Sequence, residues 1–116
     1  MDTQNPGVTP DDVEACIATE IYFTAMDGLA GSLEVGQTHD VSPDTPPFFE
    51  ALNLLTFCVL VTRNGHTVTG EAHCQNRAKF DAETGRQEAR KDAIRKLWPM
   101  VVYARRCVQA TKKGGA

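Results

Sequence analysis

The sequence predicts an α+β fold in which helices pack on a small antiparallel sheet. The dipeptide Asn64-Gly65 separates two extended apolar runs, and Asn-Gly is the preferred loop of a two-residue type I′ hairpin. Apolar residues at helical spacing both precede and follow this hairpin. We therefore expect hairpin strands over residues 55–63 and 66–74, packed by an N-terminal helix and by a C-terminal helix kinked at Trp98-Pro99.

The N-terminal helix is predicted to begin at Thr9, a residue type that caps helices well. Pro10 suits the first helical position, and two acidic residues after it favour the positive end of the helix dipole. Apolar residues then recur at helical spacing and predict a buried stripe: Val13, Cys16, Ile17 and Ile21. Asp27-Gly28 is a typical helix end. Residues 1–8 are predicted to be a disordered lead-in.

The connection over residues 28–47 is rich in glycine and proline and is predicted to be exposed, with a short extended piece at Leu33 and Val35. Residues 48–54 predict either a helical turn or a segment that packs beneath the sheet. A two-stranded hairpin alone is marginally stable. Two completions are therefore open: residues 30–54 supply a third strand, or a second subunit completes the sheet in a homodimer.

The predicted two-residue loop also fixes a register for the hairpin, pairing Val61 with Val68 and Phe57 with Ala72. The side chains that this register places on the core face are Leu55, Phe57, Val59, Val61, Val68, Ala72 and Cys74. The opposite face is half polar and carries Thr56, Cys58, Leu60, Thr62, Thr67, Thr69, Glu71 and His73.

The C-terminal helix is predicted to begin at Asp81, which can cap it, with Phe80 placed for a hydrophobic staple. A stripe facing the sheet recurs every four residues at Ala89, Ala93 and Leu97. Pro99 disfavours helical geometry at the residue before it, so the helix is expected to end or kink there and to resume until Val108. Residues 9–110 are predicted to form a single domain, and residues 111–116 a disordered tail.

The net charge of −3 conceals a strong division of charge along the chain. Residues 1–76 carry −10 and residues 77–116 carry +7. Such a division indicates either a nucleic-acid surface on the basic half or attraction between the two halves. The second is favoured, because an overall acidic domain is a poor general binder of polyanions. The candidate binding residues on the basic helix face are Arg86, Arg90, Lys91, Arg95 and Lys96.

Composition also limits the classes of function. No apolar run approaches the roughly 20 residues that span a bilayer, and the first residues lack the pattern of a secretory signal, so we expect no membrane contact. The cysteines are scattered without a CxxC pair, which is typical of reduced, buried thiols: Cys16, Cys58, Cys74 and Cys107. Neither a metal site nor a cofactor is expected, because the chain has no clustered ligands and no nucleotide-binding motif.

Three residues on the half-polar face are of types that act together in some catalytic sites: Cys58, Glu71 and His73. The predicted register places Glu71 opposite Cys58, with His73 two residues along, and these residue types can form a nucleophile with its base. Packing of Cys58 under another element, with Glu71 and His73 solvated at an edge, explains the same pattern. Because the chain carries no catalytic signature, we expect no enzymatic activity. Glu71 and His73 stay as candidate binding residues of the polar hairpin face.

Several motifs together carry a family resemblance that extends from about Val13 to Tyr103. The most specific are Phe57-Cys58-Val59-Leu60, Asn64-Gly65, Thr69-Gly70-Glu71, Phe80-Asp81-Ala82-Glu83, Gly85-Arg86 and Trp98-Pro99. They resemble the gp-forty-nine-like family of small tailed-bacteriophage and prophage proteins, which has no known function. The run after Trp98-Pro99 departs from the family's usual leucine and glycine-tyrosine. The resemblance implies a phage product acting in the bacterial host cytoplasm, and it transfers no catalytic residues.

Two functional hypotheses follow. In the first, the chain is a small non-enzymatic accessory protein that binds a host or phage protein, in a host-takeover or counter-defence role. In the second, it binds nucleic acid or nucleotide phosphates through the basic helix of residues 86–96. The hairpin and its basic helix loosely resemble the carboxy-terminal half of double-stranded RNA-binding domains. About ten residues separate the second strand from the helix stripe, however, and no basic cluster opens the helix.

Overall fold

The computed structural model describes residues 7–37 and 46–114 of the chain. In these ranges it has an α+β fold, as predicted, with a three-stranded antiparallel sheet in the order β1-β2-β3. The elements are α1 Pro10–Ala15, β1 Ile17–Thr24, α2 Ala25–Glu34, α3 Pro46–Asn53, β2 Leu55–Thr62, β3 Thr67–His73 and α4 Ala82–Gly114. A short 3-10 turn, Arg77–Lys79, lies in the predicted loop between β3 and α4.

The N-terminal helix begins where it was predicted but is much shorter. The Thr9 hydroxyl accepts a hydrogen bond from the Asp12 N–H at 3.2 Å, and the Asp12 carboxylate accepts one from the Thr9 N–H at 2.9 Å. The helix ends at Ala15, however, so the prediction of helix as far as Asp27 is wrong. The following residues are rich in β-branched and aromatic side chains and form β1, which pairs with β2. The third strand thus comes from residues 17–24, whereas the described part of residues 30–54 is mainly helical.

Helices also replace much of the predicted exposed connection. The Thr24 hydroxyl accepts a hydrogen bond from the Asp27 N–H at 3.1 Å, which places Asp27 in the first turn of α2 and not at a helix end. Leu33 lies within α2, so the predicted extended piece is wrong. α3 confirms the helical alternative for the segment before β2.

Residues 38–45 of the predicted connection, residues 1–6 of the lead-in and residues 115–116 of the tail lie outside the described residues. Val8, which was assigned to the lead-in, is buried in the core, and α4 continues to Gly114.

The hairpin turns through three residues, not two. The Thr62 N–H donates to the His66 carbonyl at 2.8 Å and the Gly65 N–H to the Thr62 carbonyl at 3.0 Å, which leaves Arg63, Asn64 and Gly65 in the loop. Gly65 has a φ of +86°, whereas Asn64 has no positive φ. A type I′ turn requires positive φ at both central residues, but the three-residue loop requires it only at the glycine.

This loop shifts the predicted register by one residue. β2 and β3 pair Leu60 with Val68 and Cys58 with Gly70, so the predicted pairing of Val61 with Val68 is wrong. A shift of one residue turns one strand over relative to the other. The residues that face α4 are therefore Thr56, Cys58, Leu60, Thr62, Val68, Gly70 and Ala72. The β2 residues predicted for the core, Leu55, Phe57, Val59 and Val61, lie on the opposite, half-buried face.

The predicted stripe of α4 does face the sheet. Ala89 and Ala93 are fully buried, and Leu97 is 2% exposed. The helix does not end at Pro99, because α4 is continuous over 33 residues, or roughly 50 Å at 1.5 Å per residue. Val102 is still buried, but from Tyr103 to Lys112 every side chain except Arg105 is exposed. The last turns of α4 therefore extend beyond the sheet.

Gly70 sets the distance between α4 and the sheet. A Cβ atom built on Gly70 would lie 2.0 Å from the Ala89 carbonyl oxygen and 2.4 Å from the Ala93 nitrogen. Both distances are far inside van der Waals contact, so only glycine fits with the helix backbone at this separation. Because Ala89 and Ala93 are themselves small, the two backbones approach closely at this point.

We predict that Gly70→Ala destabilises the fold by about 3 kcal/mol, at the upper end of overpacking effects, because the added methyl group must push α4 off the sheet. The matched control is Gly31→Ala in α2, where a Cβ would meet nothing within 4 Å. There the change should stabilise the protein by about 0.5–1 kcal/mol through the helix preference of alanine. Urea unfolding measures both values, and equal effects at the two sites would contradict the packing constraint.

Candidate functional site

The five basic residues predicted on the helix face lie on α4, and each contacts a carboxylate of this chain. Three of the pairs join residues three apart on the helix. They are Arg86–Glu83 at 2.8 Å, Lys91–Glu88 at 3.2 Å and Arg95–Asp92 at 2.7 Å. Such exposed pairs contribute about 0.3–0.5 kcal/mol each to stability. They nevertheless offset the positive charge that the helix would present to a phosphate.

Lys96 and Asp92 join α4 to the edge strand β3. The Lys96 ammonium lies 3.0 Å from Asp92 Oδ2 and 3.8 Å from Glu71 Oε1. Asp92 Oδ2 also accepts a hydrogen bond of 3.0 Å from the backbone N–H of Glu71. Hydrogen bonds from Arg95, Lys96 and that N–H hold the pKa of Asp92 well below its usual range. A side chain of α4 therefore accepts a hydrogen bond from the edge strand, and the helix also covers one face of the sheet.

Arg90 is the centre of a network between the basic and the acidic halves of the chain. Its Nη1 and Nη2 donate to the two carboxylate oxygens of Glu14 at 2.8 and 2.5 Å. Its Nε and Nη2 donate to the two oxygens of Glu20, both at 3.0 Å. The Tyr22 hydroxyl donates to Glu20 as well, at 2.7 Å. The Arg90 guanidinium lowers the pKa of both glutamates, and they raise the pKa of Arg90 in turn.

The residues considered for catalysis are not brought together. Cys58 is fully buried beneath α4 and pairs with Gly70, whereas Glu71 pairs with Phe57 and lies on the other side of the sheet. Burial raises the pKa of the Cys58 thiol, so the neutral form is favoured. Glu71 and His73 are exposed on the edge strand, as expected for solvated residues. The predicted placement of Glu71 opposite Cys58 is therefore wrong.

Within residues 7–37 and 46–114, no three histidine, cysteine or acidic side chains are grouped so as to hold a metal ion. Among the helices of these ranges, none combines the length and the hydrophobicity that crossing a bilayer requires.

The face of the sheet turned away from α4 carries an apolar surface that we call the open face. Ile21 pairs with Val59 there and is 47% exposed, while Val59 and Val61 are half-buried. At one end, Phe23 and Phe57 stack with ring centroids 5.6 Å apart, and Gly28 of α2 lies against Phe23. The sequence did not indicate this surface, because the predicted register placed these β2 side chains in the core.

A second concave surface, which we call the tip groove, lies between the hairpin loop, the end of α1 and α4. It has a volume of about 490 Å³. Leu97, Met100, Val101 and Ala104 of α4 line one wall, and Thr62, Arg63, Asn64 and His66 of the hairpin line the other. Arg63 holds the hairpin to α1, because its Nε donates to the Ala15 carbonyl and its backbone N–H to the Cys16 carbonyl, both at 2.9 Å.

The sequence contained a signal for the tip groove. Apolar residues continue along the helix after Pro99, and their continuation would have indicated one uninterrupted helix wall. The groove was not predicted for two reasons. The helix was expected to end or kink at Pro99, and the N-terminal helix was predicted to continue past Ala15, where α1 in fact ends.

Comparison with known families identifies the chain. Residues 8–108 match the model of the phage protein (N4 Gp49/phage Sf6 gene 66) family. The chain belongs to this family. The match confirms the predicted resemblance and includes every element from α1 to β3 and most of α4. The family description names phage proteins and no activity. Comparison with the curated proteins and with the solved structures finds no match.

We predict that Arg90→Gln destabilises this family member by about 1–2 kcal/mol at pH 7, because it leaves two glutamates facing each other without their shared cation. Both glutamates are more than a third exposed, so solvent screens the pairs and limits the effect. Lys91→Gln, which removes one exposed pair, is the control and should cost less than about 0.5 kcal/mol.

The Arg90 effect should depend on pH with a defined sign. The folded-state pKa values of Glu14 and Glu20 lie below the ordinary 4.5, so their contribution is complete above that pH. It is lost as the pH falls through the lowered folded-state values. Urea unfolding at several pH values should therefore show the stability difference between wild type and Arg90→Gln shrinking towards pH 3. A difference that is constant from pH 7 to pH 3 would contradict the assignment.

Proposed function

We propose that this phage protein is a non-enzymatic accessory protein that binds another protein, of the host or of the phage, in the host cytoplasm. The open face of the sheet is the proposed contact surface. The observation that carries the proposal is that Ile21, Val59 and Val61 form an apolar strip on the side that α1 and α4 leave uncovered. Contiguous exposed apolar surface on a small soluble domain is typical of an interaction site.

The composition of the open face supports a protein as the partner. Its centre is aliphatic, and Thr67 and Thr69 of β3 continue it towards the edge with hydroxyl groups. An apolar centre with a polar rim is the usual anatomy of a protein interface. A phosphate-rich partner would find no positive charge among these side chains.

Nucleic-acid or nucleotide-phosphate binding by the basic helix is supported less well. Each of the five candidate cations already has a carboxylate within 4 Å. A phosphate would have to displace those carboxylates, and the remaining protein is acidic. The ion pairs of Arg90 with Glu14 and Glu20, and of Lys96 with Glu71, support instead the interpretation in which the two halves of the chain attract each other.

The protein-binding proposal is tested by capture from a lysate of infected host bacteria on immobilised protein, followed by titration of the retained species. Val59→Lys should reduce the retained partner at least tenfold, because it places a charge at the centre of the apolar strip. Val35→Lys is the matched control: it makes the same exchange at a side chain 76% exposed after α2, and should leave capture unchanged. Urea unfolding verifies that both variants are folded. Absence of a saturable partner, or equal loss in both variants, would contradict the proposal.

The nucleic-acid alternative makes the opposite prediction. Fluorescence anisotropy with labelled RNA and DNA duplexes at low salt should stay flat as wild-type protein is added. If binding occurs, weakens with salt, and is lost when Arg86, Arg90 and Arg95 are all changed to alanine, the basic helix is the functional surface instead.

A further inference from the structure

We infer that the tip groove is a second docking site, and that its occupant is an acidic amphipathic helix of a partner protein. The groove lies on the α4 side of the sheet, so it is distinct from the open face. The inference does not depend on whether the open face binds a protein. It depends on the apolar pattern of α4, on the charges around the groove and on the shape of its floor.

The apolar pattern of α4 continues beyond the part that the sheet covers. From Leu97 onward, apolar or small residues recur with the spacing of a helix-pairing seam: Leu97, Met100, Val101, Ala104, Cys107, Val108 and Thr111. Leu97 is buried in the core, whereas Met100 is 38% and Val108 51% exposed. The seam therefore starts against the sheet, lines the groove and ends in solvent. A second helix laid along it would bury the uncovered half.

The charges around the groove are positive, although the chain as a whole is acidic. None of the side chains lining the groove is acidic, and Arg63 and His66 stand on its hairpin wall. From Leu97 to its last residue the sequence has four basic residues and no acidic one: Arg105, Arg106, Lys112 and Lys113. Arg105 is already paired with Asp12 at 3.3 Å, so the charge left for a partner is that of Arg63 on the hairpin wall and of Lys112 beyond the groove. Carboxylates on the flanks of an incoming helix would match this surface.

The same charges disfavour a second copy of this chain as the occupant. A two-fold dimer places one surface against the same surface of the other subunit. Pairing of α4 with α4 would place two seams against each other whose charged residues, from Leu97 onward, are all basic. Like charges at such an interface cost affinity. Ala104, in the middle of the seam, leaves room for close approach of a foreign helix.

The test selects displayed random 16-residue peptides on the full-length protein and, in parallel, on the variant Val108→Glu. The enrichment of each peptide on the two proteins is then compared. Val108 is exposed, so this variant should fold as wild type does. We expect the enriched peptides to combine apolar residues spaced three and four apart with an excess of Asp and Glu. The best of them, fluorescently labelled, should bind at least tenfold more weakly to Val108→Glu and to Met100→Glu. It should bind equally to wild type and to Val35→Glu, the matched control at another exposed valine.

Three results would overturn the inference. The first is enrichment that is no greater on wild type than on Val108→Glu. The second is an enriched set with no acidic excess. The third is a wild-type dimer in analytical ultracentrifugation that Val108→Glu dissociates, which makes the occupant a second copy. The Val59→Lys variant separates the two surfaces, because it should still bind the peptide whatever it does to partner capture.

Discussion

The close contact of Gly70 with Ala89 and Ala93 is the constraint on which the rest of the structure depends. It brings the backbone of α4 against the sheet, with no side chain in between. At that distance Cys58 and Leu60 are completely buried beneath the helix. The same placement brings Arg90 within reach of Glu14 and Glu20, and Asp92 within reach of the β3 edge. The absence of a side chain at Gly70 thus allows the helix position on which the core, the ion-pair network and the covered edge depend.

The distribution of charge acquires a structural meaning from this placement. The acidic N-terminal half and the basic C-terminal half lie in contact, and three cations of α4 are bound by carboxylates of the acidic half: Arg90, Lys96 and Arg105. Two largely apolar surfaces stay exposed among the described residues: the open face behind the sheet, and the tip groove where α4 extends beyond it. Exposed apolar surface beside paired charges is the observation on which the protein-binding proposal depends.

The sequence predicted the fold class, the capped start of α1, and the α4 stripe that packs on the sheet. It could not predict the register, because Asn64-Gly65 suits both a two-residue and a three-residue loop, and both faces of β2 are apolar. It could not predict β1 either, since Ile17 and Ile21 fit helical spacing as well as extended pairing. The candidate cations were found from composition, but their carboxylate partners lie as many as 76 residues away and only folding reveals them.

Pro99 interrupts the backbone hydrogen bonds of α4 close to the end of the core. Proline has no amide hydrogen, so the Arg95 carbonyl lacks the donor that would continue the helical hydrogen-bond pattern. This interruption lies between Leu97, which is buried against the sheet, and the solvent-exposed turns that begin at Tyr103. Val102 lies beyond the proline and is still buried in the core, so a bend at Pro99 would pull this side chain out of the core. Packing of Val102 therefore offsets the lost hydrogen bond, and α4 continues through the proline as one helix.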